Sequence, residues 1–277
     1  MAKADSKPLV SAIITTHNRA DLLPRALDSV IVQSYDNVEI IVVDDGSTDN
    51  TPEIMEKYRE QVPVKYIRLD KSLGAPRARN RGIEASSGEF VAGLDDDDKW
   101  HKNRIQGLMA VYDDCFAAVT SDTVMVHSEG QARWRKKKII DLDTLLYTNQ
   151  VGNQVLVRRD RVLDVGGFDP DLKAAQDYDL WIRLCEKYGP IRNVQKPLQT
   201  IYMDHEEGRI TSSSFQGYLQ FYNKHKEKFD RSQRKYQLYK IRRAQQKPLA
   251  FGEFGSCVPA FRYWSEMKNE VIKKLWE

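Results

Sequence analysis

The chain has 277 residues, 41% of them apolar and 30% charged, with a net charge of +3. This fits a soluble globular protein with a sizeable core, one large domain with or without an appendage, and excludes a strongly polyanion-seeking molecule. Cys115, Cys185 and Cys257 are widely spaced with no CxxC or Cys/His metal pattern, residues 1–8 lack an apolar signal-peptide core, and no run approaches the roughly 18 apolar residues of a membrane span; a cytoplasmic location is expected, with membrane contact at most peripheral.

Residues 9–15 (LVSAIIT) form a short apolar, β-branched run that predicts a buried strand, followed by a polar loop, Thr16-His17-Asn18-Arg19. Leu22, Leu23, Ala26, Leu27, Val30 and Ile31 recur at helical spacing. Residues 38–43 (VEIIVV) predict a second strand that ends at once in Asp44-Asp45-Gly46-Ser47. Asn50 with Glu53 resembles a capping box, with Pro52 in the first turn, and opens a helix through about Tyr58. Residues 64–69 predict a third strand, residues 74–85 a helix broken by Ser86-Ser87-Gly88, and residues 89–94 a fourth strand.

That fourth strand runs into Asp95-Asp96-Asp97-Asp98. Four like charges at one strand end repel each other, and a divalent cation with a preference for hard oxygen ligands, Mg²⁺ or Mn²⁺, would offset the repulsion. The competing reading is a solvated acidic loop or the start of a helix near Lys99. Alternation of strands and helices predicts a mostly parallel sheet with helices on both faces, whose ligands bind at the carboxyl ends of the strands. The polar clusters at residues 15–17, 44–45 and 95–98 therefore fall on one edge. Neither GxGxxG nor GxxxxGK[ST] is present, so phosphates would be held by the metal and by basic side chains. Lys71, Arg77, Arg79 and Arg81 are candidates, with a solvated helix face as the alternative.

Farther on, a helix is predicted from Ile105, a strand over residues 116–121, and a loop or edge-strand tip at the basic run 133–138. Residues 153–157 predict a strand, 161–165 a short helix and 166–170 a glycine turn. Tyr178, Trp181, Ile182 and Cys185 share one helical face, and Asp177 stands at that helix's start, where N-capping is one explanation of it.

Taken together, VSAIITTHNR (10–19), EIIVVDDGSTDNT (39–51), GAPRARNRGIEASSGEF (74–90), LDDDDKW (94–100), VGGFDPDL (165–172) and QDYDLWIRL (176–184) resemble the family 2 glycosyltransferases over roughly residues 9–215. The resemblance implies an α/β GT-A fold: a mostly parallel central sheet flanked by helices, a small antiparallel extension and a helical C-terminal tail. It implies a catalytic domain over 1–215, with a nucleotide-sugar-binding half (1–100) and an acceptor-binding half (101–215). By the same resemblance Thr15, His17, Arg19, Asp44, Asp45, Arg77 and Asp96 belong to the nucleotide-sugar pocket, Asp45 accepting a hydrogen bond from a uracil-type base and Asp44 positioning the loop. Asp95, Asp97 and Asp98 supply the metal-binding acids, and His205 is a further metal or diphosphate contact, with an ordinary surface histidine as its alternative. Asp177 matches the catalytic base, although Gln176 stands where the family usually has Glu. The implied activity is a metal-dependent inverting transfer from a nucleotide-sugar, UDP-sugar favoured, to a hydroxyl of a glycan or lipid-linked acceptor in surface polysaccharide synthesis. The QxxRW-like signature of the processive synthases is absent, which favours single-sugar or short-chain transfer.

Residues 216–277 form a basic, aromatic extension, with Lys224, Lys226, Lys228, Arg231, Arg234, Lys235, Lys240, Arg242, Arg243 and Lys247 among only two acids, Glu227 and Asp230, up to residue 247. An anchor on the anionic inner face of the plasma membrane, a helix packed on the catalytic domain and a homodimerisation element all fit it. Nucleic-acid binding lacks a base-reading module here. Two other functions compete with sugar transfer. A nucleotidyltransferase would carry a glycine-rich phosphate loop where TTHNRADLL stands, and a non-catalytic sugar-nucleotide or lipid-binding protein would have no need of Asp177.

Overall fold

The computed structural model describes residues 7–203 and 214–245; His205, Arg209 and the tail beyond residue 245 lie outside the described residues. The elements in order are β1 (Val10–Thr16), α1 (Leu23–Ile31), β2 (Val38–Asp44), α2 (Thr51–Gln61), β3 (Val64–Arg68), α3 (Ala75–Ala85), β4 (Phe90–Asp95), β5 (Lys99–Trp100) and α4 (Arg104–Met109). They continue with β6 (Ala118–His127), β7 (Gly130–Trp134), β8 (Ile139–Ile140), α5 (Leu142–Tyr147), β9 (Leu156–Arg158), α6 (Arg159–Asp164), α7 (Gln176–Tyr188), β10 (Ile191–Tyr202), α8 (Ser214–His225) and α9 (Arg231–Ala244).

The strands make one ten-stranded sheet in the order β3-β2-β1-β4-β9-β6-β10-β5, with β7 on β6 and β8 on β10. β3, β2, β1 and β4 are parallel, as their β-branched runs predicted. Ile13, Ile14, Ile41, Val42 and Val43 are buried, as expected of strands covered on both faces. β4–β9 and β6–β7 are antiparallel, which supplies the antiparallel part. Leu23, Ala26, Leu27 and Val30 form the buried stripe of α1. Gly82 lets α3 lie close on the sheet, since a Cβ there would stand 2.5 Å from Ile13 Cγ2.

Several local expectations are corrected. Asn50 stands at the N-cap of α2 but makes no side-chain cap bond. Asp49 works there instead, accepting from Thr51 N at 3.1 Å and from the Ala20 amide at 2.9 Å. No helix starts at Lys99: Lys99 and Trp100 form β5, antiparallel to β10. The basic run, expected as a loop or edge-strand tip, begins in the edge strand β7, which pairs with β6. Arg133 in β7 pairs with Asp122, and Lys136 is buried. The strand expected over 153–157 is found as β9, Leu156–Arg158.

The chain divides into two compact units. The larger contains all ten strands with α1–α4, α6 and α7; the smaller contains α8, α9 and the short segments Leu146–Thr148 and Asp171–Ala175. In α8 and α9 the aromatic residues Phe221, Tyr236 and Tyr239 are buried, and Asp230 caps α9 in a full capping box with Gln233. Among the described residues no helix is long and apolar enough to cross a membrane.

Candidate active site

The parallel register puts the strand ends side by side: Thr15 is level with Asp95, and Thr16 with Asp44. The loops after β1 and β2 are then stitched together. Asp45 N donates to the Thr16 carbonyl at 2.9 Å, Asn18 N donates to Ser47 Oγ at 2.9 Å, and Thr48 N donates to Asn18 Oδ1 at 2.7 Å. His17 is exposed, with Nδ1 2.7 Å from the Asp45 carbonyl.

Asp44 is fully buried and shapes this loop, accepting from Ser47 N at 2.8 Å and Tyr66 Oη at 2.6 Å. Asp45 also acts on the backbone. Its carboxylate accepts from Ser72 Oγ at 2.7 Å, Leu73 N at 2.7 Å and Gly74 N at 2.8 Å. Gly46, at φ +71°, permits this approach, because a Cβ there would stand 2.6 Å from the Lys71 carbonyl carbon. Three of the roughly four acceptor positions of the Asp45 carboxylate are thus taken by its own chain.

The acidic run is a turn. Asp98 N donates to the Asp95 carbonyl at 3.1 Å, so the chain reverses and carries Asp98 back beside Asp95. Asp95, Asp97 and Asp98 each present an oxygen within 4.8 Å of the others. That spacing suits a hard cation with oxygens at roughly 2.1 Å, whose octahedral neighbours lie about 3–4 Å apart. Asp96 turns aside: Arg19 donates to Asp96 Oδ1 at 3.0 Å and Asp97 Oδ2 at 2.8 Å, and Arg25 donates to the Asp97 carbonyl. Arg79 donates to Asp95 Oδ1 at 2.7 Å.

The electrostatics follow from burial and crowding. Burial and the neighbouring Asp95 and Asp97 push the Asp98 carboxyl well above the usual carboxylate range. Burial raises Asp96 to about 6 against the pull of Arg19. Burial also acts on Asp95, but the Arg79 guanidinium and the Asn153 amide outweigh it and hold that carboxyl low. The cluster is a concentrated negative site that Arg19 and Arg79 balance in part.

Asp177 lies in the first turn of α7. Burial raises its carboxyl pKa, opposed by the Tyr178 backbone and Arg79 and reinforced by Asp95. Asp179 pairs with Arg183 at 2.6 Å. Asn149 Nδ2 donates to Asp177 Oδ2 at 3.1 Å. Asn153 Nδ2 donates to Asp95 Oδ2 at 2.6 Å and to Asp98 Oδ2 at 3.2 Å. An open recess of ≈ 500 Å³ lies below Arg79, Asp95 and Asn153, with Ile13, Val91 and Trp181 in its walls.

Of the residues expected from sequence, the structure therefore groups Arg19, Asp95, Asp96, Asp97 and Asp98, sets Thr15 level with Asp95, and keeps His17, Asp44 and Asp45 in the adjoining loop. Asp177 is electrically coupled to Asp95. Arg77 is exposed on α3; its neighbour Arg79 is the one that meets the acids. Asn149 and Asn153 escaped the sequence reading. Asn149 lay outside any predicted element, in a polar stretch like an ordinary turn, and Asn153 and Gln154 opened the strand predicted over residues 153–157 with no signal of their own.

A family model described as glycosyl transferase family 2 matches residues 11–170. WcaA of Escherichia coli, named as a colanic acid biosynthesis glycosyl transferase, is 36% identical over 258 residues, 89% of this chain and 91% of WcaA. TuaG of Bacillus subtilis, named for teichuronic acid biosynthesis, is 32% identical over 190 residues, 65% of this chain and 73% of TuaG. Among solved structures, S. aureus TarS 1–349 in complex with UDP-GlcNAc matches with a TM-score of 0.67 at 22% identity, over 92% of this chain and 77% of TarS 1–349. The mannosyltransferase PcManGT from Pyrobaculum calidifontis, in complex with GDP-Man and Mn²⁺, matches with a TM-score of 0.58 at 18% identity, over 90% of this chain and 68% of PcManGT.

Proposed function

The chain belongs to glycosyl transferase family 2 and has the GT-A fold, and we propose that it is a cation-dependent, inverting glycosyltransferase that moves a sugar from a UDP-sugar to a hydroxyl of a glycan or lipid-linked acceptor in surface polysaccharide synthesis. The observation that carries this is the carboxylate cluster at the end of β4, with Asp95, Asp97 and Asp98 oxygens within 4.8 Å of one another, supported by the half-buried Asp177 in the first turn of α7, whose carboxyl pKa is raised by desolvation. A base with a raised pKa is better matched to removing a hydroxyl proton near neutral pH. Residues 1–100 then hold the donor and residues 101–215 the acceptor.

Asp177 Oδ takes the proton of the attacking hydroxyl. Asp95, Asp97 and Asp98 would hold Mn²⁺ or Mg²⁺, which would supply charge neutralisation at the donor diphosphate. Arg19 steadies Asp96 and Asp97 from the β1 loop. The loop of Thr16 to Arg19 and the Asp45 loop form a preorganised wall for the nucleoside, with the remaining acceptor position of Asp45 available to a base N–H. Inversion follows from reading Asp177 as a single base that deprotonates the acceptor hydroxyl as it attacks opposite the leaving diphosphate.

The UDP-GlcNAc complex of TarS and the Mn²⁺ of PcManGT support the choice of donor class and cation; the names of WcaA and TuaG support the acceptor class. The exposed Lys224, Lys226, Lys228, Arg231 and Arg234 support contact with an anionic membrane surface. The test is thermal stabilisation and donor hydrolysis with Mn²⁺ and a panel of UDP-, GDP- and dTDP-sugars. A UDP-sugar with Mn²⁺ is expected to raise the Tm, and EDTA to cancel the rise. If no nucleotide-sugar stabilises the protein and EDTA changes nothing, the proposal fails.

A further inference from the structure

We propose that residues 149–154 form a rigid gauge that sets the geometry of the cation-binding carboxylates, with Asn153 as its positioning residue; this rests on the cation reading of the Asp95, Asp97 and Asp98 cluster. Three amide side chains of this segment each donate to a site carboxylate. Asn149 holds Asp177 at 3.1 Å. Asn153 bridges Asp95 and Asp98 at 2.6 and 3.2 Å. Gln154 Nε2 donates to Asp98 Oδ2 at 2.7 Å.

A gauge has to be stiffer than what it positions, and this segment is pinned at nearly every residue. Asn149 Oδ1 closes it locally, accepting from Val151 N at 2.9 Å and Gly152 N at 3.0 Å. The Val151 carbonyl accepts from the buried Lys136 ammonium at 2.6 Å and Thr120 Oγ1 at 3.2 Å. The Gly152 carbonyl accepts from Trp181 Nε1 at 2.7 Å. Gln154 Oε1 accepts from Trp100 Nε1 at 2.8 Å, which fixes the amide so that its NH₂ faces Asp98. Gly152, at φ +89°, makes the bend, and a Cβ there would stand 3.3 Å from Lys136 Nζ.

The donor type matters. Asp95 and Asp98 repel each other, and a lysine between them would hold them together while opposing a cation. A neutral amide donates to both carboxyl groups and adds no positive charge to compete with a cation. Asn153 Oδ1 is itself buried without a hydrogen-bond partner, so the residue keeps an unsatisfied acceptor while serving the two carboxylates with its NH₂. Polar groups that orient metal ligands from behind are typically worth 10–100-fold in metal affinity.

The experiment is Mn²⁺ binding by the full chain, without nucleotide, followed by calorimetry and by the Mn²⁺ EPR line shape. Asn153→Leu, which keeps the branched shape and heavy-atom count and removes the donor, is expected to weaken binding about tenfold or more. Asn153→Ser, whose hydroxyl can donate to one carboxylate but not to both, is expected to fall between the two with a broadened spectrum. Circular dichroism checks the fold, and the serine variant keeps the test open if leucine disrupts it. Wild-type binding with both variants within twofold of it and an unchanged line shape overturns the gauge. No Mn²⁺ binding by the wild type overturns the cation reading itself.

Discussion

The Arg79 guanidinium meets Asp95 at 2.7 Å, with both side chains about three-quarters buried. The contact joins α3 to the end of β4, and it places a positive charge where a cation would also act. Arg79 and the cation thus share the task of balancing Asp95.

Arg79→Met should therefore cost stability chiefly when no cation is present. A hydrogen bond to a charged group contributes about 1.5–3 kcal/mol, and that loss is expected in urea denaturation with EDTA. Adding Mn²⁺ should recover more stability in the variant than in the wild type. Equal Mn²⁺ effects on both proteins would show that Arg79 does not share this role.

Asp177→Asn should separate chemistry from binding. The amide preserves size and can still meet Asn149 with its carbonyl oxygen, but it cannot take a proton. Turnover is expected to fall roughly 10²–10⁴-fold, with the donor Kd and the Mn²⁺ affinity changed little. Single-turnover assays alongside donor titration read the two effects separately. Retention of most activity would remove Asp177 as the base.

The parts of this architecture that depend on local pattern were legible. β-branched runs of the right length gave the parallel strands β1 to β4, and their ends necessarily shared an edge, which brought residues 15–17, 44–45 and 95–98 together. What was not legible depends on contacts distant in sequence. The Asp45 carboxylate is a free acceptor in the sequence, yet residues 72–74 consume most of it. Lys136 sits in a basic run that reads as a loop or edge-strand tip, yet it is buried against Thr120, Val151 and Trp134. Asn153 lies 55 and 58 residues from the acids it bridges, and asparagine in a polar stretch signals a turn before it signals a clamp.

The extension also gives a specific expectation for membrane contact. Phe221, Phe229, Tyr236 and Tyr239 are buried, so they are not free to insert into a bilayer. Contact through this region would be carried by exposed charge, worth about 1 kcal/mol per Lys or Arg near an anionic surface. Lys226, Lys228, Arg231 and Arg234 replaced together by Glu should abolish flotation with phosphatidylglycerol liposomes, and high salt should release the wild type. Flotation that survives both treatments would exclude the basic residues of the turn after α8 and the start of α9 as the contact.

Lys136 makes stability depend on pH in a direction that can be worked out. Burial, with nearby Arg104, lowers its pKa from 10.5 to about 7. Below about pH 7 the ammonium is charged in both the folded and unfolded chain, and the folded state carries the whole desolvation cost. Between about 7 and 10.5 the unfolded chain binds the proton and the folded chain does not. Unfolding then takes up a proton, so the contribution of this group to stability rises with pH across that window. Lys136→Met removes the titration along with the bond to the Val151 carbonyl. The lost bond offsets the variant's stability by a constant amount, which has no slope with pH. Urea denaturation of both proteins from about pH 7 upward should show the wild type gaining stability relative to the variant. Parallel curves would mean that Lys136 stays charged in the folded chain, held by Val151, Thr120 and the Trp134 ring 4.8 Å away.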